Sequence, residues 1–370
     1  MKLIIIKTNF KDGLLAIERA GGENQNLPIL KNVFIEAVQN KIIFTATNLE
    51  IAIRAFVSGK TIEDGKLTVP LSVLLNIIHN LQSDRLNLEA KENVLRITTD
   101  NYEATLHGIF PDEFPIIPKI QNTEKFIAIK GDILRDALGQ VVLSAQFSDL
   151  RPELNSVLLA FSPEAIRLAA TDSFRLSEKT ITKTQFTSNH DEEFKILIPL
   201  KTIHELMRIL ADGDAVKINH DANQILFSTD RFEFISRLVD GNFPDYSAII
   251  PKKFDTEAVV KREEFTNAVK VAAVLSSRVN EVRVKASESK KTIEVFSTTQ
   301  SVGENTYLLP AKIQGKSLDA TFNWRYVMDA LKALKTEDVF LGLNDENKPA
   351  LLRSPNDASY FYILMPILKT

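Results

Sequence analysis

The sequence predicts an α+β fold in three repeated domains, each with two helices packed on antiparallel sheets, and three observations carry that prediction. A punctuated pattern is written twice: Val69-Pro70-Leu71 through Leu81 and on to Phe114-Pro115, then Ile198-Pro199-Leu200 through Leu210 and on to Phe243-Pro244. Its prolines, closing leucines and Phe-Pro pairs are all 129 residues apart. A period that long means duplicated domains, because solenoid repeats are far shorter. A worn third copy runs from Phe322 to Leu334, with Tyr360 to Ile367 standing as its closing strand. Within each copy, alternating apolar stretches outnumber those with helical spacing.

The repeats begin alike. Ile6-Lys7, Ile129-Lys130 and Val260-Lys261 each end a short apolar strand, and apolar pairs follow at Leu14-Leu15, Ala137-Leu138 and Ala268-Val269, where a first helix is expected. The opening Met1 to Lys7 is too short for a signal peptide and is read as the first strand. Three copies of roughly 120 residues match the usual size of a domain with its own core. The expected boundaries are 1–122, 123–253 and 254–370.

In the second helix of the middle copy, Ile203, Leu206, Met207 and Leu210 share one face, while Lys201, His204, Glu205 and Arg208 share the other, which should be wet. Segments such as Asp214 to Asn219 and Arg231 to Ile235 alternate as strands, and Glu92-Asn93 and Asp221-Ala222-Asn223 read as hairpin turns. Two linkers, Pro115 to Lys119 and Pro244 to Lys252, pass through Ile-Ile-Pro-Lys. Proline removes a ladder donor and biases its neighbour to extended geometry, so both are expected to space domains without joining a core.

Composition excludes several classes. At 44% apolar and 25% charged residues, the chain builds ordinary cores and carries no low-complexity segment. No apolar run approaches the roughly 20 residues of a membrane span. Cysteine is absent, which rules out disulfides and thiolate metal sites and fits a reducing, cytoplasmic setting.

Catalytic chemistry leaves no signature: there is no Gly-rich phosphate loop, no His-Glu-x-x-His and no Gly-x-Ser-x-Gly. The five histidines, His79, His107, His190, His204 and His220, show no ligand pair at helical spacing. Asp191-Glu192-Glu193 and Asp112-Glu113 read as solvated turns. No catalytic residue, metal or cofactor is expected.

Net charge of −3 argues against a compact basic nucleic-acid binder. Yet Lys201 and Arg208 are seven residues apart on one helix, and Arg325 and Lys332 repeat that spacing on another, with Lys335 beyond. Spacing by seven stacks charge along one stripe. On a single helix this is an ordinary solvated face; repeated around an axis, it gives an acidic protein a basic inner surface.

Several stretches carry a resemblance along the whole chain: Leu27 to Asn32, Ala46-Thr47-Asn48-Leu49-Glu50, Ala170 to Leu176, Leu238 to Tyr246, and the terminal Met365-Pro366-Ile367. In order, they resemble the bacterial sliding clamp, the beta subunit family of DNA polymerase III. The resemblance implies the DNA clamp fold and a head-to-tail homodimer forming a six-domain ring around duplex DNA, with helices lining the hole. DNA would be held by topology and by weak contacts blind to sequence. Lys201 and Arg208 match lining positions of the family, and Arg151, Arg325 and Lys332 are the further candidate DNA contacts. Departures occur at Ser72 and Val73, at Glu23, and in the 148–153 loop, where Pro152-Glu153 stands in place of aromatics.

The resemblance also implies a peptide pocket for the replicative polymerase's catalytic subunit, the clamp loader and other replication and repair proteins. Matching positions in the second repeat and its linker are Leu154, Thr171, Ser173, Phe174, Arg175, Leu176, Pro244, Ala248 and Ile249. In the third they are Val279, Asn323, Tyr326 and the tail Ile363, Leu364, Met365, Pro366, Ile367 and Leu368. Methionine suits a pocket that repacks around different partners. Ser173, Phe174 and the ending Leu368-Lys369-Thr370 depart from common relatives, so partner preference should differ. The reading is a processivity factor and not an enzyme. A repeat-built peptide scaffold that never encircles DNA would keep the groove and lose the basic stripes; an enzyme of dispersed residues would show turnover.

Overall fold

The computed structural model describes residues 1–22, 27–39, 41–120, 123–148 and 150–368. Glu23, part of the 148–153 loop, the boundary at 122 and the final Lys369-Thr370 lie outside the described residues. Among those described are six α-helices, two per repeat: α1 Lys7–Ile17, α2 Leu71–Asn80, α3 Gly131–Val141, α4 Leu200–Ile209, α5 Arg262–Ala273 and α6 Trp324–Ala333. None is long and apolar enough to cross a membrane.

The duplicated prolines explain where the second helices start. Pro70 and Pro199 each end a strand and hand over to α2 and α4, since a fixed φ suits the residue at a helix entrance and its missing N–H costs nothing there. The third copy reaches the same start differently. Asn323 caps α6, its Oδ1 accepting from Arg325 N at 3.0 Å.

Contacts divide the chain into two compact units. The first comprises Met1–Ile133, Phe186–Asp191 and His204–Leu238, and the second Leu134–Gln185, Glu192–Ile203 and the chain from Val239 onward. In the first unit, strand Phe232–Arg237 of the middle repeat pairs antiparallel with Ile51–Val57 of the first, Glu233 opposite Arg54 and Ile235 opposite Ala52. This seam completes a nine-stranded sheet among the described residues. In the second unit, Arg175–Thr182 pairs with the closing strand Tyr360–Leu364, Arg175 opposite Leu364, and another nine-stranded sheet results. The middle repeat therefore contributes strands to both units, because each seam carries backbone hydrogen bonds from one repeat into the next.

Three expectations are corrected. The linkers are not bare spacers: Phe114 and Ile117 pack on Ile29, Leu30 and Phe34, and Tyr246 and Ile250 pack on Leu176, Phe340, Leu351 and Ile363. Their apolar side chains cover sheet faces that would otherwise be wet. Glu205 is not on a wet face. It is 7% exposed, held by Arg208 at 2.9 Å and Arg19 at 3.8 Å. The closing strand ends at Leu364 and not at Ile367, since Pro366 has no N–H to donate.

Candidate partner-binding groove

The second unit presents a tight turn built by two side chains. Thr171 Oγ1 donates to Arg175 O at 2.7 Å and accepts from Ser173 N at 3.2 Å, while Asp172 Oδ1 accepts from the amides of Phe174 and Arg175 at 2.9 and 3.0 Å. Such side chains replace backbone partners and favour turns over ladders. Ser173 consequently sits at φ 76° and Phe174 is thrust outward, 62% exposed. The tail meets it: Met365 N donates to Phe174 O at 2.8 Å, and Ile367 N to Thr321 O at 2.7 Å.

Strand alternation sorts the candidates onto two faces. Leu176 and Ile363 lie on the face covered by Tyr246 and Ile250, with Phe340 and Leu351 beside them. Phe174 and Met365 continue that parity at the sheet's end. Beneath the linker is a cavity of about 460 Å³ walled by Leu158, Arg167, Glu178, Phe243, Pro244 and Tyr246. Tyr246 donates its hydroxyl to Glu178; burial first, and that bond second, push its phenol above the usual range. Ala248 and Ile249 are exposed on a single 3₁₀ turn, Ser247–Ile249.

The opposite face holds a charged cluster. Arg175 Nε donates to Asp172 Oδ2 at 2.8 Å, Nη1 donates to Asp329, and the guanidinium lies 4.2 Å from the Tyr326 ring centroid. Burial opposes its charge, but Tyr362, Asp172 and Asp329 outweigh that and raise its pKa. Arg175 and Leu364 lie off the apolar face that carries Leu176 and Ile363. Leu364 belongs to the third repeat's core, and Arg175 supports the turn from behind.

The other candidates are placed as follows. Leu154 is fully buried, its amide bonded to Arg151 O, so it shapes the loop from inside. Asn323 spends its side-chain oxygen on the α6 cap. Val279 is exposed beside Asn280, whose carbonyl accepts from Trp324 N. Pro366 is buried, with Leu368 exposed beyond it. Tyr246, Ile250, Phe340 and Leu351 escaped the sequence reading. Tyr246 and Ile250 lie in and just after the Leu238 to Tyr246 stretch, and Phe340 and Leu351 on two short, almost wholly apolar strands, Asp338–Leu343 and Ala350–Arg353, whose pairing no local pattern reveals.

Among the basic candidates, Lys201, Arg325 and Lys332 are exposed, and Arg325 lies against the Trp324 ring at 5.4 Å. Arg208 is exposed as well. Besides Glu205 it donates to Leu15 O at 2.9 Å and Ala16 O at 3.3 Å, capping the end of α1. Arg151 sits at the groove turn and not on a helix stripe, donating to Glu153 at 3.1 Å and Ser173 Oγ at 3.3 Å. Lys335 pairs with Asp136 at 2.7 Å.

Sequence models of three successive domains match in order: the N-terminal, central and C-terminal domains of the DNA polymerase III beta subunit, over residues 1–118, 128–245 and 247–368. The chain belongs to the DNA polymerase III beta subunit family. Among its relatives, the beta sliding clamp of Bacillus subtilis is 29% identical over 99% of both chains, and that of Synechococcus elongatus is 27% identical over 99% of both. Solved structures agree. A Bacillus subtilis sliding clamp superposes with TM-score 0.94 at 26% identity, covering all of both chains, and a Pseudomonas aeruginosa sliding clamp bound to griselimycin does so with the same values. The fold is three clamp domains, and the family acts as a processivity factor, a sliding clamp without catalysis of its own.

Proposed function

We propose that two copies of this chain close head to tail into a six-domain ring around duplex DNA. The groove around Phe174 and Met365 then holds short peptides of the replicative polymerase's catalytic subunit, the clamp loader and other replication and repair proteins. The observation that carries this reading is the run of three clamp domains in order, over residues 1–118, 128–245 and 247–368. Like domains joined in tandem leave unlike ends, and unlike ends make heterologous contacts that close into a ring when the rotation permits.

Lys201, Arg325 and Lys332 are the proposed phosphate contacts, each exposed and able to make the salt-sensitive, sequence-blind interactions that allow sliding. Phe174, Leu176, Pro244, Ile249, Ile363 and Met365 are the proposed apolar contacts to a peptide, with Arg175 and Tyr326 supporting the turn from its reverse side. Repeat boundaries at 122 and 253 and a cytoplasmic setting are part of the same reading.

The test is retention on DNA. Loaded onto a nicked circle, the protein should stay bound and should leave when the circle is linearised. Equal retention on both forms overturns the ring.

A further inference from the structure

The two sheet seams carry the same backbone device. In the first unit, Thr47 Oγ1 donates to Ile51 O at 2.8 Å and accepts from Leu49 N at 3.0 Å, while Asn48 Oδ1 accepts from Glu50 N and Ile51 N at 3.0 and 2.9 Å. Leu49 sits at φ 75°, as Ser173 does at 76° in the second unit. The pairing across each seam matches as well. Arg237 N donates to Glu50 O at 3.0 Å, just as Met365 N donates to Phe174 O at 2.8 Å.

A cavity lies under the linker in both units. The one in the first is about 530 Å³, walled by Phe34, Arg54, Phe114, Ile117, Glu233 and Ile235. Phe34 and Phe114 stack at 5.0 Å. Turn and strand pairing therefore persist in both copies; the walls differ, with Arg54 paired to Glu233 at 2.6 Å in the first and Glu178 bonded to Tyr246 in the second, and so do the lips. Where the second unit presents Phe174 and Met365, the first presents Glu50 and Arg237, an ion pair at 3.6 Å with side chains 67% and 66% exposed.

We infer that the first unit holds a second, latent peptide groove and that the Glu50–Arg237 pair keeps partner peptides out of it. An apolar anchor laid across that lip would strip water from two charges, and an exposed ion pair returns little Coulomb energy for the loss. Exclusion then comes from a built-in penalty and not from want of a cavity, which is how a protein discriminates between two similar sites. One groove per chain is the consequence. The inference rests on the reading that the second unit binds apolar peptides.

The experiment is an equilibrium titration of the full-length protein with a short synthetic peptide bearing leucine and phenylalanine anchors and a photo-crosslinker. The native chain should take one peptide, and the Glu50→Phe/Arg237→Met variant two, with new crosslinks in the segment around Thr47 to Ile51. No binding by the native chain sinks the reading of the second unit, and the inference with it. One peptide on the native chain and still one on the folded variant overturns the inference alone, as do two on the native chain. Should that variant fail to fold by circular dichroism, Glu50→Ala/Arg237→Ala removes the charges without adding bulk. Crosslinking to the first unit should then rise at least about tenfold, the equivalent of about 1.4 kcal/mol, and unchanged crosslinking overturns the proposal.

Discussion

Arg175, at the start of a middle-repeat strand, donates a charge-assisted hydrogen bond to Asp329 on α6 of the third repeat. The same guanidinium holds Asp172, whose other oxygen organises the turn that presents Phe174. One side chain thus links the groove's turn to the neighbouring repeat's helix.

Replacing Arg175 with alanine should cost about 3 kcal/mol, the lower end for breaking a buried ion pair. The lower end applies because Asp172 is 8% exposed but Asp329 is 34% exposed and recovers water. Urea unfolding should show an earlier midpoint, and peptide titration a weaker complex. An unchanged midpoint would show that the cluster is not a structural tie.

Alkaline titration should expose the buried phenols. Burial is the leading cause that holds Tyr246, Tyr326, Tyr360 and Tyr362 above the ordinary tyrosine range. A group whose folded pKa is raised contributes stability that is complete below its unfolded value, about pH 10, and is lost as pH climbs towards the folded value. Tyrosinate absorbance from these four should appear together with loss of circular dichroism. Full ionisation of all six tyrosines near pH 10 in a folded protein contradicts this.

Arg208 and Lys332 should separate structure from DNA binding. Arg208→Ala removes bonds to Glu205, Leu15 O and Ala16 O and should lower stability by about 1–2 kcal/mol. Lys332→Ala should stay within about 0.5 kcal/mol of the native protein. It should instead reduce the salt dependence of DNA binding, by a slope of roughly 0.9 for each phosphate that is no longer neutralised. Swapped outcomes would exchange the two roles.

Ending the chain after Leu364 should weaken peptide binding by at least about tenfold, the loss expected of a single interface anchor. The bonds from Met365 and Ile367 to Phe174 O and Thr321 O disappear, but the paired strand Tyr360–Leu364 remains. The solution mass of the dimer should not change; a fall to the monomer mass would show that the tail serves assembly.

Much of the fold was legible because its signals are local. Pro70 and Pro199 mark helix entrances, and the apolar faces of α4 and α6 follow from spacing alone. Glu205 departs from its periodicity for the same reason: helical position puts it on the polar face beside Arg208, and the packing that buries it, with Arg19 reaching in from a distant segment, is not encoded in spacing. Arg208 carried the right charge at the right spacing, but its guanidinium caps α1, a contact no periodicity encodes. The groove was half legible. Thr171, Asp172 and Arg175 form a turn within five residues, whereas Tyr246, Ile250, Phe340 and Leu351 meet only across separate strands.

By itself the sequence determined the number of repeats, the strand and helix pattern of each, and the family to which the chain belongs, since periodicity, turn chemistry and motif order reside in neighbouring residues. Only the tertiary structure decided which alternating side chains share a face across the seams, because each seam pairs strands far apart in the chain. That pairing sets Phe174 against Met365 in one unit and Glu50 against Arg237 in the other. The same backbone device thereby carries an apolar lip in one place and a charged lip in the other.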